Sequence, residues 1–148
     1  MLDNQTRGQN MIEACKLSAV EAAHKIKSGD LTSEELIKSC IERATERIQD
    51  VGAWAHIDPE LAVLSARDSD QAGNQGLLGG IPVGVKDIIN TKAMPTSYGS
   101  SIYGLNQPKD DADCVKNVKR QGGIVLGKTV TTEFAWRNPG KTKNPHNP

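Results

Sequence analysis

Two capping signatures organise the first third of the chain. Ser18 with Glu21, and Thr32 with Glu35, have the spacing at which a hydroxyl and a carboxylate satisfy the orphan donors of a helix start. Behind the first, Val20, Ala23 and Ile26 form an apolar stripe, and Gly29 stands where a C-cap belongs. Behind the second, Leu36, Ile37, Cys40, Ile41, Ala44 and Ile48 recur at helical spacing. That is the best amphipathic pattern in the chain, and it predicts a helix ending near Asp50 to Gly52. Asp58 and Pro59 then read as the N-cap and first position of a third helix. It carries Leu61, Leu64 and Ala66 and stops before Gly73.

The texture changes at about residue 73. Gly73, Gly76, Gly79 and Gly80 predict a loop, and the short β-branched run Ile81–Ile89 predicts a strand. Residues 91–110 are rich in turn formers. Asp110 to Asp113 predict the cap of a short helix bearing Val115 and Val118, ended by Gly122-Gly123. Ile124-Val125-Leu126 reads as a short buried strand. Strand, crossover helix and strand form a βαβ unit, so the two strands should run parallel in one sheet. The fold class is α/β, with residues 1–72 helical and residues 73–148 the start of a sheet region. Two strands and one crossover make a poor sheet. Arg137 to Pro148 holds three prolines and no other apolar side chain. The pattern therefore predicts a loop and a domain that continue past Pro148, against the alternative of a disordered tail.

Charge and composition narrow the function. Eighteen Lys and Arg balance eighteen Asp and Glu over 148 residues, which excludes the basic footprint of a dedicated nucleic-acid binder. No apolar run is long enough to span a membrane, and Met1 to Gln5 hold no signal-like apolar stretch. A cytoplasmic protein is expected, with no nucleic-acid or membrane partner. Cys15, Cys40 and Cys114 are odd in number and widely spaced, which predicts reduced, half-buried thiols. The three histidines are scattered, so no metal and no cofactor are expected. Asn4-Gln5-Thr6 matches a glycosylation sequon that is idle without secretion. Aromatic residues make up only 3% of the chain, so its core should be lean and aliphatic.

Three groups could carry chemistry. Gly122, Gly127, Lys128 and Thr129 match the phosphate-binding P-loop pattern, but a polar helix precedes them and Gly123 to Leu126 favour a strand. The context rejects the motif. Lys86 interrupts an apolar run between Val85 and Asp87-Ile88-Ile89. Burying a lysine is costly unless it is paired or neutral, and a neutral lysine is a competent general base. Asp87 should point to the opposite face and not meet Lys86. Spacing alone leaves open the alternative of a lysine at the strand's end with its ammonium in solvent or on another carboxylate. Ser97, Ser100 and Ser101 lie in a turn downstream, where turn chemistry explains them and a serine–lysine pair is a weaker reading. Pro95 takes the place of the first glycine of a nucleophile elbow.

The string as a whole is more specific. Gly80-Ile81-Pro82-Val83-Gly84-Val85-Lys86-Asp87 strongly resembles the catalytic-lysine segment of the amidase signature family. Thr96 to Ser100, Asp111 to Val115, Gly122 to Thr129 and Thr132-Glu133-Phe134-Ala135 resemble its following turn, helix, strand and loop, in order. Leu31 to Leu36 are similar to its N-terminal helices. The resemblance implies a mixed sheet covered by helices in a longer chain. It implies amide hydrolysis by a Ser–cis-Ser–Lys triad, with Lys86 the base, neutral at rest. A serine held in a cis peptide would relay a proton from the nucleophilic serine to Lys86, and water would release the acyl-enzyme.

Both family serines lie a little beyond the Asn-Pro-His-Asn-Pro stretch in which this sequence stops. Of the triad these 148 residues hold only Lys86, so the chain by itself is expected to be inactive. By the same resemblance, Trp136 and Arg137 border the acyl pocket, with packing and solvation as the alternatives. The family includes general amidases and the catalytic A chain of the glutamyl-tRNA amidotransferase. In the latter, Asn typically follows the Lys-Thr, and Met-Gly-Ser follows the Glu-Phe-Ala. Here Val130 and Trp136-Arg137-Asn138 stand there, which leans toward a general amidase acting on a small-molecule amide. The resemblance leaves room for a homodimer of the full-length form.

Overall fold

A computed structural model describes residues 14–147. The sequon at Asn4, the Met1 to Gln5 stretch and Pro148 lie outside the described residues. Helix α1 (Ala19–Ser28) starts at the complete capping box of Ser18 and Glu21 and ends at Gly29 in the left-handed conformation. Helix α2 (Ser33–Glu46) starts at the second box, Thr32 with Glu35. The chain breaks at Arg47, earlier than the apolar pattern predicts. A single turn, α3 (Ile48–Val51), follows and closes on left-handed Gly52. Helix α4 (Pro59–Gln71) is capped by the Asp58 carboxylate, which accepts from Leu61 N at 2.9 Å.

Two predicted stripes hold only in part: Ile26 and Ala66 are buried as expected, but other members are not. On α1 the buried residues are Ala22 and Ile26, while Val20 is exposed. On α4 they are Ala62 and Ala66, while Leu64 is exposed. On α4 the small alanines at i and i+4 pack against α2 and the sheet, where Leu64 would be too bulky.

Strands β1 (Trp54–Ile57), β2 (Pro82–Lys86) and β3 (Ile124–Thr129) form one sheet in the order β1-β3-β2. The β2–β3 pair is parallel, as the βαβ reading requires, with α5 (Asp113–Arg120) as its crossover helix. The sequence pattern does not predict antiparallel β1, because its four residues are too few to show a period. This strand ties the first part of the chain into the same sheet. The cap of α5 also differs. Ala112 is the N-cap and no side chain caps it. Asp111 instead accepts from Lys92 N and Lys119 Nζ, each at 2.7 Å.

The core is lean and aliphatic. Ile37, Ala62, Ala66, Ile124 and Leu126 join α2 and α4 to the sheet. Ala22, Ile26, Leu36 and Ile81 form a second cluster with Ala14. Half-buried Cys40 packs against both. Burial pushes its thiol up to about 11, with a smaller contribution from Cys15. Cys15 is half-buried as expected, whereas Cys114 is exposed. Among the described residues no helix is long and apolar enough to cross a membrane, and no cluster of three or more His, Cys, Asp or Glu is placed to hold a metal.

Candidate active site

The carboxyl ends of β2 and β3 lie side by side, with Val85 opposite Lys128 and Lys86 opposite Thr129. In open α/β sheets ligands bind beyond the carboxyl ends of parallel strands. The strand predicted to reach Ile89 stops at Lys86. Asp87 N donates one last ladder bond to Thr129 O at 2.8 Å, and Ile89 N donates to Lys86 O at 2.9 Å, turning the chain. Of the two readings that spacing leaves open for Lys86, the structure takes the lysine at the strand's end: it closes β2 and its side chain is exposed, not buried within an apolar run. Asp87, next in sequence, is buried, as alternation along a strand dictates.

The buried lysine is Lys128, the lysine of the P-loop-like pattern. Gly127, Lys128 and Thr129 belong to β3, not to an open phosphate loop. Gly127 serves close packing: a Cβ there would stand 2.5 Å from His56 O of β1. One extra residue on β3, between the partners of Val83 and Gly84, makes a bulge that re-aims the side chains beyond it. The Lys128 ammonium lies 3.2 Å from Asp87 Oδ1. It donates to Thr96 Oγ1 at 2.6 Å and to Pro95 O at 3.3 Å. Burial pulls the Lys128 pKa below its usual value, and Asp87 opposes that shift. The P-loop alternative thus loses its site, because the lysine that would face phosphate is spent on a carboxylate inside the fold.

Asp87 is a hub. Its carboxylate also accepts from Ser97 N at 3.2 Å and from Ser97 Oγ. Its carbonyl accepts from Tyr98 N at 3.0 Å, and Tyr98 O accepts from Phe134 N at 2.8 Å. The two loops beyond Lys86, residues 96–100 and 131–136, are thereby laced together. Ser100 Oγ adds a bond to Glu133 Oε1 at 2.9 Å. Tyr98, Tyr103 and Phe134 stack edge to face. Tyr98, Phe134 and Ala135 adopt positive φ without being glycine, a strained backbone that persists only where surroundings impose it. Gly99 (φ +71°) must be glycine, since a Cβ would stand 2.8 Å from Thr132 O.

Ser97 and Ser100 are thus committed to Asp87 and Glu133, and no hydrogen bond joins either, or Ser101, to the Lys86 ammonium among the described residues. Trp136 is 76% exposed and Arg137 is exposed too, its guanidinium 5.8 Å from the Trp136 ring centre. Sequence reasoning missed the Asp87–Lys128–Thr96 cluster. One signal was available: Thr129 and Val130 extend the β-branched run, which would have read Lys128 as an internal strand lysine in need of a carboxylate.

These features define an α/β domain with Lys86, Asp87 and Lys128 at the carboxyl ends of two parallel strands. The family model described as Amidase matches residues 35–148, and the chain belongs to that family. Among curated relatives, the A chain of the glutamyl-tRNA(Gln) amidotransferase of Lachnospira eligens is 34% identical over 88% of this chain and 29% of its own length. That of Streptomyces coelicolor is 35% identical over 91% and 29%. Among solved structures, an amidase family protein from Bacillus anthracis superposes with a TM-score of 0.85 at 29% identity, over 99% of this chain and 32% of its own. The native peptide amidase of Stenotrophomonas maltophilia gives 0.76 at 28%, over 83% and 26%. The chain spans about three-tenths of the length of the curated relatives it matches.

Proposed function

We propose that this chain contributes the general base and part of the acyl pocket to an amidase-signature enzyme that hydrolyses a carbon–nitrogen bond in a small-molecule amide. The observation that carries the reading is the place of Lys86, exposed at the carboxyl end of β2 and next to Asp87, which ties the two laced loops to the strand, in a chain of the amidase family. Lys86 would accept a proton from a serine in a cis peptide, which in turn takes the proton of the nucleophilic serine. Both serines are sought outside residues 1–148. The nucleophile attacks the amide carbonyl, the amine leaves with a proton, and water frees the acid. Trp136 and Arg137, on the loop laced to Tyr98, would border the acyl group.

A second reading has its own support. Curated relatives that the chain matches are named as amidotransferase subunits. Such a chain would release ammonia from an amide donor within a complex and pass it to a tRNA-bound acid. Val130 and Trp136-Arg137-Asn138 favour the free amidase. The test is ammonia release by the full-length protein, purified alone, from a panel of simple carboxamides. Turnover that Lys86→Ala abolishes supports the first reading. Turnover seen only with added partner proteins and glutamyl-tRNA supports the second, and activity retained in Lys86→Ala overturns the role given to Lys86.

A further inference from the structure

We infer that Lys128 is a positioning residue for Lys86, a buried cation that fixes the strand end and the two loops around the reacting groups; this rests on the reading of Lys86 as base. Lys128 never reaches the rim itself. Its ammonium binds three points of the segment that follows Lys86: the Asp87 carboxylate at 3.2 Å, Thr96 Oγ1 at 2.6 Å and Pro95 O at 3.3 Å. Asp87 is bonded covalently to Lys86 and fastened to Thr129 O through its own N–H at 2.8 Å. The same carboxylate holds Ser97, the Asp87 carbonyl holds Tyr98 N, and Tyr98 O holds Phe134 N. The cation therefore reaches the Thr132–Trp136 loop through a short relay of hydrogen bonds and backbone.

The placement is costly, which argues for a geometric role. Replacing a buried ion pair with apolar groups of similar volume is often neutral or stabilising. Burial has already moved Lys128 away from its ordinary pKa despite Asp87. A cheaper core was open to the sequence, and what the pair adds is a directional tie among Asp87, Thr96 and Pro95. A displacement of about 1 Å at a reacting group can cost on the order of 100-fold in rate.

The test compares Lys128→Met, the double variant Lys128→Met/Asp87→Asn and Lys86→Ala in the full-length enzyme, on a carboxamide it turns over. The double variant removes both charges yet leaves an amide to accept from Ser97, so it keeps the fold even where Lys128→Met alone does not. It should fall on the order of 100-fold in kcat with KM little changed, and the acid limb of its pH–rate profile should move. A double variant with wild-type kcat and an unmoved acid limb overturns the proposal even if Lys128→Met unfolds, because the pair is then structural only. Activity retained in Lys86→Ala overturns the underlying reading instead, so the two failures are distinguishable.

Discussion

Two regions one step apart on the same strand pair obey opposite rules. At the rim, Lys86 ends β2 in solvent, and Trp136 and Arg137 project from the neighbouring loop. Directly beneath, Lys128 and Asp87 are paired in the dry interior, with nearly every polar atom engaged. The rim leaves Lys86, Trp136 and Arg137 exposed to solvent. The interior commits its groups fully, because an unpaired buried charge is expensive. On the proposed reading of Lys86 as base, the residue given the chemical role is not the one under the strongest structural constraint.

The largest expected effect would break the comparison at the rim. Lys86→Ala in the full-length protein should lower amide turnover by about 10²–10⁴-fold, the range of a lost general base. Its urea midpoint should barely move, since exposed substitutions stay within roughly 0.5 kcal/mol. A variant that loses turnover only because it unfolds would place Lys86 with the interior group.

The next effect lies in the interior and has the reverse signature. Lys128→Met leaves the Asp87 carboxylate buried without its cation, at a cost of about 3–5 kcal/mol. Adding Asp87→Asn should return most of that loss, because the uncompensated charge disappears. Equilibrium unfolding of both variants measures the two numbers, and a double variant no more stable than the single one contradicts the pairing.

Gly99 joins the two regions, and its effect is smaller. Gly99→Ala must hold φ near +71° with a Cβ pressed on Thr132 O. About 1–3 kcal/mol is expected for such a strained residue. Because the contact lies between the laced loops, the variant should also loosen the rim. Hydrogen exchange at Phe134 N, which donates to Tyr98 O, should quicken more than exchange in α2.

Much of this organisation is legible in the sequence, for local reasons. The capping boxes at Ser18 and Thr32 and the Asp58-Pro59 start act within one turn, so their residues specify them without help from distant chain. The parallel β2–β3 pair follows from the handed crossover rule. Lys86 is legible as a position, and an exposed strand end is one of the two readings its spacing allows, but nothing in the Val85–Ile89 run marks the turn that Asp87 starts and so decides between them. The buried faces of α1 and α4 are legible only in part, in Ile26 and Ala66, because the rest depends on which neighbour packs against them: Ala22 and Ala62 are buried where Val20 and Leu64 are not. The Lys128–Asp87 pair joins residues far apart in sequence, and only the sheet register brings them together.

The smallest effect sharpens the comparison, because it concerns another charge pair in a wet setting. The Glu34 carboxylate on α2 accepts Lys38 Nζ at 2.6 Å and Arg67 Nη2 of α4 at 2.9 Å. The Arg67 hydrogen bond first, and the Lys38 one second, pull its pKa from 4.5 down to about 2. A carboxyl whose folded pKa is depressed adds stability that is present above the unfolded value and lost as pH falls through the folded one. The loss should therefore span the window between about 4.5 and about 2. Both cations stay substantially exposed, with side chains 42% and 53% accessible. Solvent screening then holds the pair to about 0–1 kcal/mol, whatever the size of the shift. Glu34→Gln should cost no more than that at neutral pH and should flatten this part of the acid limb of stability. In about 1 M salt, where the screening length falls to about 3 Å, the variant and the parent should converge. An exposed pair can be dissolved by salt or replaced by an amide at little cost, whereas the Lys128–Asp87 pair should keep its effect in salt because no solvent reaches it.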